Sequence, residues 1–301
     1  MSERARRARA PAVRVAAGRR GPRPGVGIKG VTMAALAVWA LASALVAGAV
    51  QPERFDTVVL DPGHGGDDHG AEGPRGLLEK DLTLDVARRL ARELEARGLR
   101  VVLSRREDRF VGLAERTRVA NEARADLFVS IHANGAEARA ARGVETYFAS
   151  LEASDEAAKR LAIAENEAFG GAAAPATTGS DPLAAILGDM IATEHLVDSQ
   201  EFARLALEQL AAGDATHSRG VKQAPFVVLM GVEMPAALVE IGFITNVREE
   251  AVLTRAAERD RIAKGLSAAV AEYGRRYDAR RGGEPGPSPA PAAAAAGGGS
   301  E

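Results

Sequence analysis

The stretch VVLDPGHGG, residues 58–66, decides the fold, because an apolar strand runs directly into a glycine-rich turn. Residues 57–60 (TVVL) predict a short buried strand, and the Asp-Pro-Gly that follows predicts the turn that ends it. The turn places His64 just beyond the strand. Gly63, Gly65 and Gly66 surround this histidine and allow the backbone to turn sharply and to approach a ligand closely.

Strands and helices alternate along the chain after this turn. Residues 79–97 predict an amphipathic helix, since Leu82, Val86, Leu90 and Leu94 recur every four residues. Further helices are predicted over 113–125 and 247–273, and further strands over 99–103, 126–132, 144–149 and 235–241. Strands separated by helices predict an α/β fold, in which one domain contains a mostly parallel, twisted sheet with helices on both faces.

The composition excludes several classes of protein and of site. The 301 residues include no cysteine, which excludes disulfide scaffolds, thiolate metal sites and cysteine nucleophiles. The net charge of −2 hides an asymmetry: residues 1–30 hold nine basic residues and one acidic residue, so residues 31–301 carry −10. An acidic body argues against nucleic acid as the main partner, because phosphate contacts need clustered Lys and Arg.

The ends of the chain differ from its centre. Residues 1–50 predict a basic leader whose uncharged part, 31–50, is either a cleaved signal peptide or a retained membrane anchor. Either alternative predicts export to the periplasm or cell envelope, with membrane contact only through this segment. Residues 51–278 are predicted to fold, and residues 279–301, rich in Pro, Ala and Gly, to form a disordered tail.

Candidate functional residues lie where strands end. In open α/β sheets, ligands bind beyond the carboxyl ends of the strands. His64, His132 and Glu240 each come at the end of a predicted strand, and Glu79 begins the first helix. Two His and one Glu with an open position form a catalytic zinc set, in which the second Glu serves as base. Taken singly, a histidine at a strand end is more often structural, and a glutamate such as Glu79 is often found at the start of a helix for electrostatic reasons. Glu240 differs, because burying a carboxylate inside an apolar strand is costly unless it is paired, hydrogen-bonded or bound to a metal.

Four motifs in order resemble a known family. VVLDPGHGG, Glu79 within LLEKDL, ADLFVSIHANG and ALVEIGFITNVREE are similar to the zinc-dependent N-acetylmuramoyl-L-alanine amidases of the amidase-3 family, over roughly residues 56–275. The resemblance implies one Zn²⁺ held by His64, Glu79 and His132, with Glu240 as the catalytic carboxylate and Asn134 as a substrate-positioning residue. It implies hydrolysis of the amide between N-acetylmuramic acid and L-alanine in peptidoglycan, for wall remodelling or daughter-cell separation.

Residues 150–220 form a long stretch between predicted strands. An apolar stripe within it (Leu183, Ile186, Leu187, Met190 and Ile191) is typical of a helix that packs on the domain. The resemblance implies an alternative, a regulatory insertion like that of cell-division amidases, with a LytM-type protein as activator. Glu194 or Asp189 would then reach the metal as an autoinhibitory ligand.

Three other functions are considered. The first is another zinc-dependent peptidase acting on peptidoglycan, and the second is a catalytically inactive wall-binding module of the same fold. The third is a glycosidase that uses Glu79 and Glu240, which leaves both histidines without a role and predicts activity that survives chelators.

Overall fold

The computed structural model describes residues 54–167, 182–212 and 217–282, and of residues 182–193 it describes the backbone but not the side chains. The predicted leader, with its signal or anchor segment 31–50, and nearly all of the predicted tail lie outside this part. Among the residues described, no helix is both long enough and apolar enough to cross a bilayer.

The described residues form one six-stranded sheet with the strand order β2-β1-β3-β6-β4-β5. The strands are β1 (Thr57–Pro62), β2 (Arg100–Leu103), β3 (Leu127–Asn134), β4 (Val144–Ala149), β5 (Ser218–Ala224) and β6 (Ala236–Phe243). The helices are α1 (Glu79–Glu95), α2 (Leu113–Ala123), α3 (Glu156–Glu167), α4 (Pro182–Ala211), α5 (Val227–Met230), α6 (Val247–Leu253) and α7 (Ala256–Arg280).

The sheet is mostly parallel, as predicted. Strands β2, β1, β3 and β6 pair in parallel, whereas β4 pairs antiparallel with β6 and parallel with β5. Strands β1, β3 and β6 therefore end at one edge of the sheet, which we call the C-terminal edge, and β4 begins there. This arrangement brings the ends of three strands together and carries the chain after β4 towards the opposite edge.

Helices cover both faces of the sheet, which confirms the predicted layers. On one face, α1, α4 and α7 bury side chains such as Leu90, Phe202 and Tyr273 against the strands. On the other, α2, α3 and α5 pack over Phe128, Tyr147 and other side chains of the strands. A sheet that is apolar on both faces explains why β1, β3 and β6 read as nearly continuous apolar runs.

The predicted helix 247–273 is wrong in one respect, because it consists of α6 and α7. The chain is extended at Arg255 (φ −79°, ψ 131°), which ends the first helix and begins the second. The side chain of Arg259 donates to the carbonyl of Leu253 at 2.7 Å and so satisfies a carbonyl at the end of α6. Helix α7 continues to Arg280, two residues into the predicted tail.

Part of the stretch 150–220 belongs to the hydrophobic core of the domain. The second half of α4 buries Phe202, Ala203, Ala206 and Leu210 in the main hydrophobic cluster. The five residues of the predicted apolar stripe lie in the first part of α4, where side chains are not described. The second half of α4 is therefore part of the domain core.

A buried ion pair fixes the turn after β1. Asp61 and Arg116 are each about 1% exposed, and Arg116 Nη1 lies 2.6 Å from Asp61 Oδ1. The same guanidinium donates to the carbonyls of Pro62, His64 and Val111 at 2.7–2.8 Å. Arginine suits this position because its planar fork presents several donors at once. The pair thus ties α2 to the backbone on both sides of Gly63.

A second buried arginine holds the same turn from the other side. Arg105 is fully buried and donates to the carbonyls of Pro62 at 3.0 Å and of Gly63 and Lys80 at 2.8 Å. Three successive carbonyls around His64 are therefore held by two guanidinium groups, which makes the turn rigid.

We predict that Arg116→Met lowers the free energy of unfolding by about 3–5 kcal/mol, because it leaves the Asp61 carboxylate buried without its ion-pair partner. Urea unfolding followed by circular dichroism measures this change. Arg118→Met on the same helix is the matched control, since Arg118 is exposed and pairs only with exposed carboxylates. Equal midpoints for the two variants would contradict the role of the buried pair.

Candidate metal centre

His64 follows β1 directly and has a left-handed backbone conformation, with φ of 60°. This conformation is strained for a residue with a side chain, so surrounding contacts must impose it. The two buried arginines supply the backbone contacts. Asp68 supplies a side-chain contact, since its carboxylate accepts a hydrogen bond from His64 Nδ1 at 2.9 Å. With Nδ1 engaged, Nε2 is the nitrogen that faces the other candidate ligands.

Glu79 connects three segments at the C-terminal edge. It begins α1, is 2% exposed, and its Oε2 accepts the N–H of Ala71 at 2.8 Å. Its Oε1 accepts the N–H of Ala133 at 2.9 Å and lies 3.1 Å from His132 Nδ1 and 3.2 Å from His64 Nε2. Burial opposes the charge, but the two histidines hold the pKa of Glu79 well below its usual range. Glu79 is therefore a site residue rather than only a favourable first residue of a helix.

His132 reaches the site from β3. It is opposite Glu240 in the pairing of β3 with β6, and the register shifts between His132 and Asn134. Its ring packs edge-on against the ring of His64, with centroids 5.0 Å apart. A Cβ at Gly63 would collide with the His132 ring, so glycine is needed there for β1 and β3 to bring the two imidazoles together.

Glu165 completes the cluster and is the residue that the sequence analysis missed. It projects from α3, and its Oε2 lies 3.2 Å from His132 Nδ1 and 3.4 Å from His64 Nε2. Ala158, Ala162 and Glu165 share one helix face, because they are spaced by four and three residues. The two alanines are fully buried. The sequence shows this spacing but not the burial of the two alanines, so local pattern alone did not identify Glu165.

Hydrogen bonds at both ends hold α3 in place. The carboxylate of Asp155 accepts the N–H of Ala158 at 2.7 Å, which caps the first turn. Asn166, the residue after Glu165, donates to the carbonyl of Pro225 and accepts the N–H of Val227, each at 2.9 Å. These contacts position Glu165 over the two histidines.

The cluster fits a divalent metal ion. One ligand atom from each of His64, Glu79, His132 and Glu165 lies within 4.8 Å of the others. Glu165 Oε2 is buried and has no hydrogen-bond partner among the residues described. Two imidazoles and two carboxylates form a donor set that binds Zn²⁺ tetrahedrally. A metal ion would account for a buried oxygen that is otherwise unsatisfied.

The electrostatics also favour a cation. Burial opposes a charge on His64, but Glu79, Asp68 and Glu165 outweigh it and raise the pKa of His64 to about 11. Burial raises the pKa of Glu165, although both histidines oppose that shift. The carboxylates that favour positive charge on His64 would likewise stabilise a divalent ion at this position.

Glu240 lies beside the cluster but is not one of the four residues that can share an ion. It is fully buried in the middle of β6, and neither carboxylate oxygen has a hydrogen-bond partner among the residues described. Burial, together with Glu79, Glu165 and Glu145, raises its pKa well above the ordinary value. A buried carboxyl group with a raised pKa beside such a cluster is a candidate for accepting and returning a proton.

The remaining predicted site residues lie in different surroundings. Asn134 ends β3, is 9% exposed, and its carbonyl accepts the N–H of Ile244 at 3.0 Å. Glu194 is exposed on α4 and is not part of the cluster, whose fourth carboxylate is Glu165 instead. The cluster therefore does not include Glu194, and the autoinhibitory role of Glu194 stays a prediction. Asp189 lies among the side chains that are not described.

Comparisons with known proteins identify the family of this chain. The N-acetylmuramoyl-L-alanine amidase family profile matches residues 58–272. The amidase AmiC of Neisseria meningitidis is 38% identical over 221 residues, which cover 73% of this chain and 53% of that protein. AmiA of Escherichia coli K12 is 37% identical over 225 residues, which cover 74% of this chain and 78% of that protein. The chain thus spans about half the length of the Neisseria relative.

Solved structures show the same fold. The amidase AmiC2 of Nostoc punctiforme superposes with a TM-score of 0.56 at 28% identity, over 72% of this chain and 96% of that one. The resemblance inferred from the four motifs is therefore confirmed. The chain belongs to the N-acetylmuramoyl-L-alanine amidase family.

Proposed function

We propose that this chain hydrolyses the amide between the lactyl group of N-acetylmuramic acid and the L-alanine of the stem peptide in peptidoglycan. The observation that carries the proposal is the cluster of His64, Glu79, His132 and Glu165 beside the buried carboxyl of Glu240. The family membership supports the same substrate. We further propose export through the N-terminal leader and a role in wall remodelling or daughter-cell separation.

The proposed chemistry assigns a role to each buried group. His64, Glu79 and His132 would hold one Zn²⁺, which acidifies a water molecule and polarises the amide carbonyl. Asp68 would keep His64 in the orientation that presents Nε2, and the N–H groups of Ala71 and Ala133 would orient Glu79. Asn134 is the proposed substrate-positioning residue.

Glu240 would move the proton. It accepts a proton from the attacking water while the new C–O bond forms, and it gives that proton to the L-alanine nitrogen when the C–N bond breaks. The products are a free carboxyl on the lactyl group and a free amino group on the stem peptide. The apolar strand around Glu240 excludes bulk water. This burial disfavours the charged carboxylate and so raises the affinity of Glu240 for the proton that it accepts.

We propose that Glu165 inhibits the resting enzyme. A catalytic zinc site has three protein ligands and an open position, whereas four protein ligands close the site. The two apolar residues that α3 buries fully, Ala158 and Ala162, are small, and Leu161 packs against the core only in part, so the apolar contact of the helix is limited. A binding partner, such as a LytM-type activator, would lift α3 and remove Glu165, and its binding would have to offset the hydrogen bonds of Asn166 that hold the helix.

The alternatives predict different products. A peptidase acting on the same wall releases amino acids or shorter stems, and a glycosidase using Glu79 and Glu240 leaves reducing sugars and survives chelators. An inactive module releases nothing. Mass spectrometry of sacculus digests, with and without chelator, separates these outcomes. The proposal requires intact stem peptides whose release stops when the metal is removed.

We predict that Glu165→Ala raises the basal rate at least about tenfold. If Glu165 stabilises the closed, inhibited state by about 1.4 kcal/mol as a fourth ligand, its removal is sufficient for that change. Stem-peptide release from sacculi measures it. Glu167→Ala is the control, because Glu167 is exposed on the same helix two residues away. A Glu165→Ala variant that keeps its zinc but is no faster than the control would refute autoinhibition.

We predict that Glu240→Gln, made in the Glu165→Ala background, keeps stoichiometric zinc and loses at least about 10²-fold in turnover, because the proton acceptor is gone. Zinc content is measured by elemental analysis after dialysis. His132→Ala in the same background is the comparison variant, because it removes a proposed zinc ligand. It should lose zinc but stay folded, as checked by circular dichroism. Substantial turnover by zinc-loaded Glu240→Gln would overturn the role of Glu240.

A further inference from the structure

A groove of about 1010 Å³ lies at the C-terminal edge of the sheet. Some of its lining residues are neighbours in sequence of the candidate metal centre, but the groove is on the other face of the sheet. Ile241 and Gly242 line it, and they directly follow Glu240 in β6. The side chain of Ile241 faces the opposite way from Glu240, because neighbouring strand residues alternate. The loop between β3 and β4, which follows Asn134, forms another wall.

Arginine side chains line this groove. Arg139 and Arg142 come from the loop between β3 and β4, Arg248 from α6 and Arg261 from α7. Arg139, Arg142 and Arg248 are exposed, and none of the three has a carboxylate within 4 Å among the residues described. This local positive charge contrasts with the net charge of −10 on residues 31–301.

The two acidic residues in the lining are already engaged. Glu249 accepts the N–H of Gly143 at 2.7 Å and of Phe243 at 2.6 Å. Glu258 pairs with Arg261 at 2.7 Å. The lining as a whole holds four arginines against these two carboxylates, so an excess of positive charge faces an anionic ligand.

The floor of the groove is apolar. Val247 and Val252 are 48% and 37% exposed, although both are aliphatic side chains, and the buried side chains of Val144 and Leu253 also line the groove. An apolar floor with arginines around it suits a short peptide that carries small apolar side chains and carboxylates. Guanidinium groups recognise carboxylates through paired, charge-assisted hydrogen bonds.

We propose that this groove binds the carboxylates of a second stem peptide of peptidoglycan, next to the stem whose amide is cleaved. The inference rests on the proposed function, because that function supplies a polymer with repeated carboxylated stems. A site on the face opposite Glu240 cannot hold the scissile amide itself, but it can hold a neighbouring or crosslinked stem of the same polymer. Engagement of a second stem would favour polymeric wall over single fragments.

The test is co-sedimentation of the full chain with purified sacculi. All proteins carry Glu240→Gln so that the wall is not digested during the measurement. Arg139→Gln with Arg248→Gln should weaken binding about tenfold or more and reduce its dependence on salt, because charge-assisted hydrogen bonds are lost. The control pair is Arg92→Gln with Arg124→Gln, which makes the same change in net charge at exposed positions outside the groove lining.

Three results would overturn the inference. They are equal dissociation constants for the groove pair and the control pair, failure of the parent chain to bind sacculi, and failure of a soluble carboxylated stem tetrapeptide to compete. Stem release from a soluble disaccharide-peptide by the Glu165→Ala chain is measured in parallel. Lack of release would refute the proposed function while the binding comparison still decides the groove.

Discussion

The carboxylate of Glu79 accepts hydrogen bonds from two backbone N–H groups, one in the loop after β1 and one near the end of β3, and lies within 3.2 Å of both site histidines. The loop after β1, the start of α1 and the end of β3 therefore meet at one buried charge. A buried carboxylate is stable only where donors or cations surround it. The geometry of the whole C-terminal edge depends on satisfying this group, and the proposed metal ion would complete that satisfaction.

The turn after β1 shows how the fold prepares the site. His64 has a strained backbone conformation, and two buried arginines hold the carbonyls on either side of it. This rigidity places Nε2 of His64 near Glu79 before any ligand binds, so little entropy is lost on metal binding. In contrast, Glu165 is carried by a helix with a small apolar contact. The site therefore combines rigid ligands with one that can be removed.

The sequence predicted the residues near the carboxyl ends of strands, because a physical rule links those positions to a shared edge. His64 lies just beyond β1, whereas β3 and β6 continue past His132 and Glu240. These three residues still follow that rule closely enough to meet at the edge, and Glu79 follows from the start of the next helix. Glu165 does not, since α3 leaves from the far end of an antiparallel strand and crosses back over the sheet. Knowing this requires the direction of β4, which local pattern does not give. The buried contacts of Arg105 and Arg116 also depend on tertiary structure, so the sequence did not predict them.

The most direct test of the account is an anomalous difference map at the zinc edge from crystals of the zinc-loaded full chain. The account predicts one peak at about 2.0–2.2 Å from His64 Nε2, His132 Nδ1 and an oxygen of each of Glu79 and Glu165. The oxygens of Glu240 should lie outside that coordination sphere. A peak elsewhere, or coordination that omits either histidine, would contradict the account.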